Sequence, residues 1–332
     1  MEPKTVLPGV AEHLQSTYNL KVRSKVGDYA GLFEFAGYQL VSSTDGVGTK
    51  ISVACESMDP DCIKSQADHE GIGEDLVNHC VNDILVVGAN PMFFLNYFGY
   101  SDDRAGNFMQ FVIKGMARAA RAVNVPIISG ETAKMEGCYP YPHCAYDVVG
   151  TIVGWLDEAR KLGAENVDPG DVLIGIPSSG VHTNGFTTIR KVFCGPKATE
   201  YAKGYWNEPN EKLGMSIRDA CLIPHRCYYE LVKPMLCRFP IRAIAHITGG
   251  GIEVNVRRVI GEHKPTFFWD NWKWPELFHC IRACGQLSIE QMRAEFNIGI
   301  GLVLVVPESG YKTVEGYLKS MGEQPVLIGR VA

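Results

Sequence analysis

The sequence predicts an α/β protein with two domains. Strand-like apolar runs alternate with segments of helical periodicity along the chain, a pattern typical of α/β and α+β proteins. The 332 residues, 46% of them hydrophobic, are enough for two hydrophobic cores. A charged stretch ends in the turn Asp168-Pro169-Gly170-Asp171 near the middle of the chain. We therefore expect an N-terminal domain over residues 1–160 and a C-terminal domain over residues 170–332.

The first half contains two segments with clear helical spacing. Apolar residues predict a helix over 70–87, which Gly88 ends, and its polar residues Asp75, His79 and Asn82 fall on another face. A second helix is predicted over 108–123. Apolar runs of strand length predict strands over 32–41, 51–54, 92–97, 125–128 and 148–155.

The second half repeats the alternation without an internal sequence repeat. Strands are predicted over 172–176, 241–246, 301–306 and 326–328. Helices are predicted over 183–193, 224–236, 251–259, 275–283 and 309–319.

Composition excludes several classes of function. The net charge of -5 and the lack of a long basic run argue against a nucleic-acid partner. No apolar run is long enough to span a bilayer, and the N-terminus lacks the layout of a signal peptide, so we expect a cytoplasmic protein without a membrane partner. The eleven cysteines are scattered; His279, Cys280 and Cys284 approach a metal pattern, but no second ligand pair follows, and reduced thiols are expected.

The segment TDGVGTK, residues 44–50, follows a strand-like run and combines an acid, two glycines, a hydroxyl and a lysine. Gly46 and Gly48 allow backbone angles that other residues avoid. Asp45 is an oxygen ligand of the kind that Mg²⁺ shares with phosphates, and Lys50 is suited to meet a phosphate. A glycine turn with a solvated acid and lysine is the alternative, and the spacing is not that of a Walker A loop.

Two further acids are candidate metal ligands. Asn82 and Asp83 are polar residues in an otherwise apolar helix, where a carboxylate near the core needs a partner such as a metal ion. The alternative is a side chain that caps a neighbouring loop. Glu131 follows the apolar run 125–128, and ligand sites in open α/β folds gather at strand ends. The alternative for Glu131 is a surface turn.

Two glycine-rich turns of the second half precede predicted helices. They are SSGVHTNG at 178–185 and HITGGG at 246–251. Free backbone N–H groups and the positive end of a helix dipole favour an anion at such turns. His182 and His246 lie within them and titrate near neutral pH, although an isolated histidine is more often structural.

These segments, in this order, resemble the phosphoribosylformylglycinamidine cyclo-ligase family, also called AIR synthetase. The resemblance rests on TDGVGTK, DLVNHCVNDILVVGANPMFFLNYF, GETA, DVVGTIVG, PGDVLIGIPSSGVHTNGFTTIRKV, LIPHRCYY, HITGGG and FNIGIG, which extend over most of the chain. The family's usual N-terminal AGVDI segment is not found near Val10.

The resemblance implies an N-terminal half-barrel sheet with helices that pairs across a homodimer, and a C-terminal α/β domain. It implies that ATP and Mg²⁺ are used to close the imidazole ring of formylglycinamidine ribonucleotide, giving aminoimidazole ribonucleotide, ADP and phosphate. In that reaction the formyl oxygen is phosphorylated before a nitrogen closes the ring.

The resemblance also implies roles for individual residues. Asp45, Asp83 and Glu131 would hold Mg²⁺ against the phosphates, and Lys50 would steady those phosphates. His182 and His246 would handle protons or bind phosphate. The residues implied to contact nucleotide or substrate are Gly46, Gly48, Thr49, Asn82, Ser178, Ser179, Gly180, Asn184, Gly249, Gly250, Gly251 and Asn297.

Other functions stay open from the sequence. Thiamin monophosphate kinase and selenophosphate synthetase share the implied architecture. A non-catalytic nucleotide-binding subunit is a further alternative, motivated by the altered N-terminus. Substrate-dependent release of ADP discriminates the enzyme from the subunit.

Overall fold

A computed structural model describes residues 10–139, 145–156, 161–196 and 198–332. The first of its two large sheets has the strand order β1-β2-β5-β3-β4. Its neighbouring strands are antiparallel except for the parallel pair β3–β4. The strands are β1 (Gly31–Phe35), β2 (Tyr38–Gly46), β3 (Asn90–Tyr100), β4 (Ile127–Lys134) and β5 (Tyr146–Leu156).

The second large sheet has the order β10-β12-β6-β11-β9 and is antiparallel throughout. Because β11 is antiparallel to both β6 and β9, those two strands run in the same direction and their carboxyl ends share one edge. A separate hairpin pairs β7 with β8. The strands are β6 (Val172–Pro177), β7 (Pro209–Asn210), β8 (Met215–Ser216), β9 (Ala243–His246), β10 (Pro265–Phe267), β11 (Ile300–Val306) and β12 (Val326–Val331).

The described helices accompany both sheets. None of them is both long and apolar enough to cross a membrane. They are α1 (Val10–Gln15), α2 (Lys50–Ala54), α3 (Ile63–Leu85), α4 (Asp103–Gly106), α5 (Met109–Ala122), α6 (Phe186–Phe193), α7 (Glu200–Asn207), α8 (Ile217–Leu222), α9 (Tyr229–Val232), α10 (Gly251–Val259), α11 (Glu276–Gly285), α12 (Ile289–Glu295) and α13 (Tyr311–Ser320).

Helices α3 and α5 cross at two glycines. A Cβ on Gly115 would lie 1.8 Å from the carbonyl oxygen of Glu70, and one on Gly73 would lie 2.0 Å from that of Val112. Both distances are far inside van der Waals contact, so only glycine allows this approach. The close crossing holds α3 in place against the first sheet, where it contacts β2 and β5.

The opposite face of the first sheet is open. Alternate residues of β5 are buried beneath α3, whereas those between them are partly exposed. Trp155 is 37% exposed on this open face, and Ile128 of the edge strand β4 is 57% exposed. The described residues of one chain therefore leave an apolar sheet face without cover.

The α/β class is confirmed, with two corrections to individual elements. The run 51–54, predicted as a strand, lies in the buried helix α2, because a short apolar run does not distinguish the two. The helix predicted over 224–236 is reduced to α9 and a short 3₁₀ turn. The domain limits at 160 and 170 stay predictions; the first sheet ends at Leu156 and the second begins at Val172.

Candidate active site at the domain junction

The polar face of α3 meets the second domain through a strap of residues 223–228. Asp75 Oδ1 accepts a hydrogen bond from the backbone N–H of His225 (2.6 Å), and Asn78 Nδ2 donates to the carbonyl of the same residue (2.7 Å). Asn82 accepts from the Tyr228 N–H (2.9 Å) and donates to the Arg226 carbonyl (2.8 Å). These bonds hold the strap outside a helix, which explains the shortened helix in this region.

Asn82 is thereby a clamp between domains. Its amide oxygen and nitrogen both bond to the strap, and its side chain is fully buried. The alternative interpretation, in which this residue binds a neighbouring loop, agrees with the structure. The expected contact of Asn82 with the nucleotide stays a prediction.

Lys50 also forms contacts at the domain junction. Its ammonium group lies 2.9 Å and 2.8 Å from the two carboxylate oxygens of Asp75 and donates to the carbonyl of Ile223 (2.9 Å). Two of the three donors of the ammonium group thus form hydrogen bonds, to Asp75 Oδ1 and to the Ile223 carbonyl. Lys50 is fully buried; it forms an ion pair with Asp75 inside the first domain and a hydrogen bond to the Ile223 carbonyl of the second. Its contact with a phosphate stays a prediction.

Four buried histidines gather next to this clamp. His182 stacks on His225 with ring centroids 3.9 Å apart, and the Nε2 atoms of His225 and His246 are 2.9 Å apart. His79 of α3 packs edge-on against the rings of His225 and His246. The cluster combines one helix of the first domain with three loops or strand ends of the second.

Two carboxylates of the first domain border the histidine cluster. Asp83 Oδ1 lies 2.8 Å from His246 Nδ1, and Asp83 Oδ2 accepts a hydrogen bond from Ser43 Oγ (3.1 Å). His79 Nε2 lies 3.1 Å from Asp45 Oδ2 and 3.7 Å from Asp83 Oδ2. The structure thus brings together Asp45, Asp83 and His246, three of the residues selected from the sequence.

Burial dominates the electrostatics of the junction. It lowers the pKa of His182 and of His225 well below the usual range of histidine. Burial also lowers the pKa of His246, although Asp83 opposes that shift. Burial raises the pKa of Asp75 to about 6, against the opposing influence of Lys50. At pH 7 the three histidines are therefore neutral.

The predicted loops of the second half converge at one edge of the second sheet. Ser178 Oγ donates to Asn297 Oδ1 (3.1 Å), and Asn297 Nδ2 donates to the Gly180 carbonyl (2.8 Å). Ser179 Oγ donates to the Pro224 carbonyl (2.7 Å). The Gly249 carbonyl accepts from Asn255, and Gly250 and Gly251 have positive φ angles ahead of α10.

The glycine turns present partly exposed backbone toward the first domain. Gly185 has φ +82° and precedes α6, and Asn184 donates weakly to Thr183 Oγ1 at 3.4 Å. The turns at 178–185 and 249–251 meet at the carboxyl ends of β6 and β9. They precede α6 and α10, and anion binding at these turns stays a prediction.

The TDGVGTK segment forms the exposed rim of the junction. Gly48 has φ +68°, and Asp45 Oδ1 accepts from the Gly46 N–H (2.7 Å). Thr49 lines a cavity of about 680 Å³ that also contains the basic side chains of Arg190 and Lys191. The rim thus has space for a ligand, whereas Lys50 behind it does not reach that space.

Glu131 does not join the other predicted ligands. It lies within β4 rather than at a strand end, and it pairs with Tyr97 on the open face of the sheet. In β2, Val41 and Ser43 are buried on the face of the sheet that the helices cover. Asp45 is two residues further along the strand, so it points to that same face, opposite to Glu131. The predicted triad of Asp45, Asp83 and Glu131 is therefore not assembled within one chain.

The donor atoms fit Mg²⁺ at only part of the site. Asp45 is the more exposed carboxylate, and one or two carboxylates plus phosphates suffice for this ion. Asp83 is enclosed by Ser43, His79 and His246, and imidazole nitrogens are not ligands that Mg²⁺ prefers. Of the three predicted ligands, Asp45 fits a magnesium ion that is shared with ATP.

Sequence reasoning missed two members of the cluster. His79 lies one helical turn before Asp83, a spacing that places both side chains on one face, and this signal was available. His225 lies in LIPHRCYY, where nothing in the local pattern distinguishes it from a surface residue.

Comparison with protein families covers nearly all of the chain. Residues 27–156 match the model described as AIR synthase related protein, N-terminal domain, and residues 168–332 match the corresponding C-terminal domain. A phosphoribosylformylglycinamidine cyclo-ligase of Desulfatibacillum aliphaticivorans is 38% identical over 328 residues, covering 96% of this chain and 89% of the relative. The chain belongs to this family. The relative from Thermoanaerobacter sp. (strain X514) is 35% identical, covering 96% and 90%.

Solved structures with the same fold have much lower sequence identity to this member of the cyclo-ligase family. Thiamine-monophosphate kinase from Stenotrophomonas maltophilia K279a has a TM-score of 0.64 at 14% identity, covering 96% of this chain and 91% of that chain. The hydrogenase maturation protein HypE in complex with ATP has a TM-score of 0.61 at 16% identity, covering 91% and 79%. At this identity the likeness shows the fold alone.

Proposed function

We propose that this protein catalyses the ATP-dependent ring closure of formylglycinamidine ribonucleotide to aminoimidazole ribonucleotide, with release of ADP and phosphate. The observation that carries the proposal is the similarity to cyclo-ligases over 96% of the chain. The loops at 178–185, 249–251 and 297–299 converge opposite the TDGVGTK rim, which supports a site built between the two domains.

The nucleotide is assigned to the rim. Asp45 and the backbone of Gly46 and Gly48 border partly exposed space, and Thr49 lines the adjacent cavity. A Mg²⁺ ion held at Asp45 would supply charge neutralisation to the phosphates of ATP. In our proposal the terminal phosphoryl group of ATP passes to the formyl oxygen of the substrate, and ADP leaves.

The substrate is assigned to the glycine turns of the second domain. The N–H groups ahead of α10, which begins at Gly251, suit the ribose phosphate of the substrate. After phosphorylation, a nitrogen of the amidine group attacks the formyl carbon and phosphate departs with the former formyl oxygen. His246 has both ring nitrogens engaged, so we assign proton transfer to His182, whose Nδ1 has no partner among the described residues.

A homodimer is part of the proposal. The open face of the first sheet carries Trp155, Val149 and Leu95, which the described part of one chain leaves partly exposed, and a second copy is the proposed cover. Glu131 lies on this same face, so its proposed role would be exerted toward the partner subunit. A monomeric mass in sedimentation at micromolar protein contradicts this part. The proposed location is the cytoplasm.

The decisive experiment measures ADP release by the purified protein with and without formylglycinamidine ribonucleotide while Mg²⁺ is titrated. We expect substrate-dependent ADP release coupled to ring closure at near one-to-one stoichiometry. Asp45→Asn should shift the Mg²⁺ requirement to higher concentration, whereas the exposed Asp61→Asn serves as the matched control. Binding of ATP without turnover overturns the enzyme assignment and favours a nucleotide-binding subunit.

A further inference from the structure

We propose that His79, Asp83 and His246 form a binding site for a divalent transition metal of the Zn²⁺ class, which bridges the two domains. Ligand atoms of the three buried residues all lie within 4.8 Å of one another. The site goes beyond the proposed ring closure, and it adjoins the Mg²⁺ position that we assign to Asp45, whose Oδ2 lies 3.1 Å from His79 Nε2.

The spacing of the donor atoms suits a small four-coordinate ion. Zinc bonds of about 2.0–2.2 Å to nitrogen and oxygen place neighbouring ligands about 3.3 Å apart in a tetrahedron. Asp83 Oδ1 and His246 Nδ1 are 2.8 Å apart, and Asp83 Oδ2 and His79 Nε2 are 3.7 Å apart. These two distances bracket the tetrahedral value but involve different oxygens of Asp83, and the third ligand pair lies within 4.8 Å, so the side chains must draw together to bind one ion.

The outer nitrogens of both rings are held as in metal-bound histidine. His79 Nδ1 lies 2.8 Å from Thr183 Oγ1, and His246 Nε2 lies 2.9 Å from His225 Nε2. When the inner nitrogens bind a metal, each outer N–H donates to one of these acceptors. Such outer contacts fix the tautomer and the ring orientation of metal ligands.

The charge and chemistry of the site select the class of ion. The charged partners of Asp83 within 4.0 Å, among the residues described, are the two imidazoles rather than Lys or Arg. Asp45 adds a second carboxylate 3.1 Å from His79 Nε2. Two imidazoles and a carboxylate favour Zn²⁺, Co²⁺ or Ni²⁺ over Mg²⁺. Three protein ligands leave a fourth position for water or a substrate oxygen.

Metal binding at this site must couple the domains. His79 and Asp83 lie on α3, whereas His246 ends β9 of the second sheet. An ion that binds the native arrangement and not the unfolded chain raises the stability of the native state. Zn²⁺ therefore raises the unfolding temperature of the full-length protein, and Mg²⁺ at the same concentration does not.

The test follows Co²⁺ by visible absorption in full-length protein stripped of metal with a chelator. We expect one equivalent of Co²⁺ to give the intense bands of a four-coordinate ion, and Zn²⁺ to displace it. His79→Gln should weaken Co²⁺ binding more than about 100-fold, because even outer contacts to metal ligands are worth about 10–100-fold. The readout is independent of turnover, so it distinguishes failure of this site from failure of the proposed enzyme activity.

The control is the double variant His279→Gln with Cys280→Ser, which removes the other His/Cys neighbourhood and should leave Co²⁺ binding unchanged. X-ray absorption of the Zn²⁺-loaded wild-type protein gives a check that needs no variant, with two imidazoles and no sulfur expected around the ion. A sulfur ligand, weak octahedral-type Co²⁺ bands, or unchanged binding by a folded His79→Gln variant overturns the proposal.

Discussion

The two faces of α3 contrast in how they are held. Toward α5 the helix contacts its neighbour backbone to backbone, through Gly73 and Gly115. Toward the second domain it uses polar side chains, among them Asp75 and Asn82, which bond to a strap of non-helical backbone. The same helix thus packs against α5 within its own domain and forms hydrogen bonds that hold the backbone of the second domain. The packing against α5 requires glycines, which have no side chain, and the contact with the second domain requires particular polar side chains.

The largest effect is expected on the polar face. Lys50→Met leaves the Asp75 carboxylate buried without its cation, which costs about 3–5 kcal/mol of the free energy of unfolding. The loss should be smaller at pH 5 than at pH 8, because the pKa of Asp75 is already raised to about 6 by burial and rises further without Lys50. Urea denaturation at the two pH values measures the difference.

The control for this variant removes both charges. Lys50→Met combined with Asp75→Asn leaves no uncompensated ion, so it should recover most of the stability that the single variant loses. If the single and double variants are equally destabilised at pH 8, packing rather than charge is the cause.

A smaller effect is expected on the glycine face. Gly115→Ala forces the backbones of α3 and α5 apart, because the new Cβ would lie 1.8 Å from the Glu70 carbonyl oxygen. Overpacking of this kind costs about 1–3 kcal/mol. Gly316→Ala in α13 is the matched control, since a Cβ there meets nothing within 4 Å and should stabilise the helix by about 0.5–1 kcal/mol. Thermal unfolding of both variants measures the change in stability. Equal changes for Gly115→Ala and Gly316→Ala would contradict the close crossing of α3 and α5.

The smallest effect is a pH dependence of the histidine cluster, measured on metal-free protein. Burial lowers the pKa of His182, His225 and His246, so below the unfolded value of about 6.5 the unfolded chain binds more protons. Stability present above pH 6.5 is therefore lost as the pH falls. Asp75 has a raised pKa, so its protonation in the folded state adds stability as the pH falls, but this single group offsets only part of the loss from three histidines. We expect about 1 kcal/mol of loss between pH 7.5 and 6.5. Constant stability across that interval would show that the histidines are not buried neutral.

The sequence predicted the elements of this fold better than the partners of its polar residues. Periodicity located α3 because its apolar positions repeat every turn, and the glycine turns marked where β6 and β9 end. Glu131 was misplaced because alternation along a strand depends on where the strand begins, and β4 extends past the predicted 125–128 run. The contacts of Lys50 and Asn82 within the protein were not predicted, because a buried ion pair or amide has no local pattern that separates it from a ligand contact. His225 depends on a long-range contact that no short motif encodes.

The strap at residues 223–228 makes the candidate active site conditional on a complete chain. Its backbone is ordered by α3 of the other domain, and it carries one of the four clustered histidines. During synthesis, α3 is made before residues 223–228, so the surface that orders the strap exists before the strap itself. The candidate active site therefore forms only after residues 223–228 have been synthesised and have docked on α3.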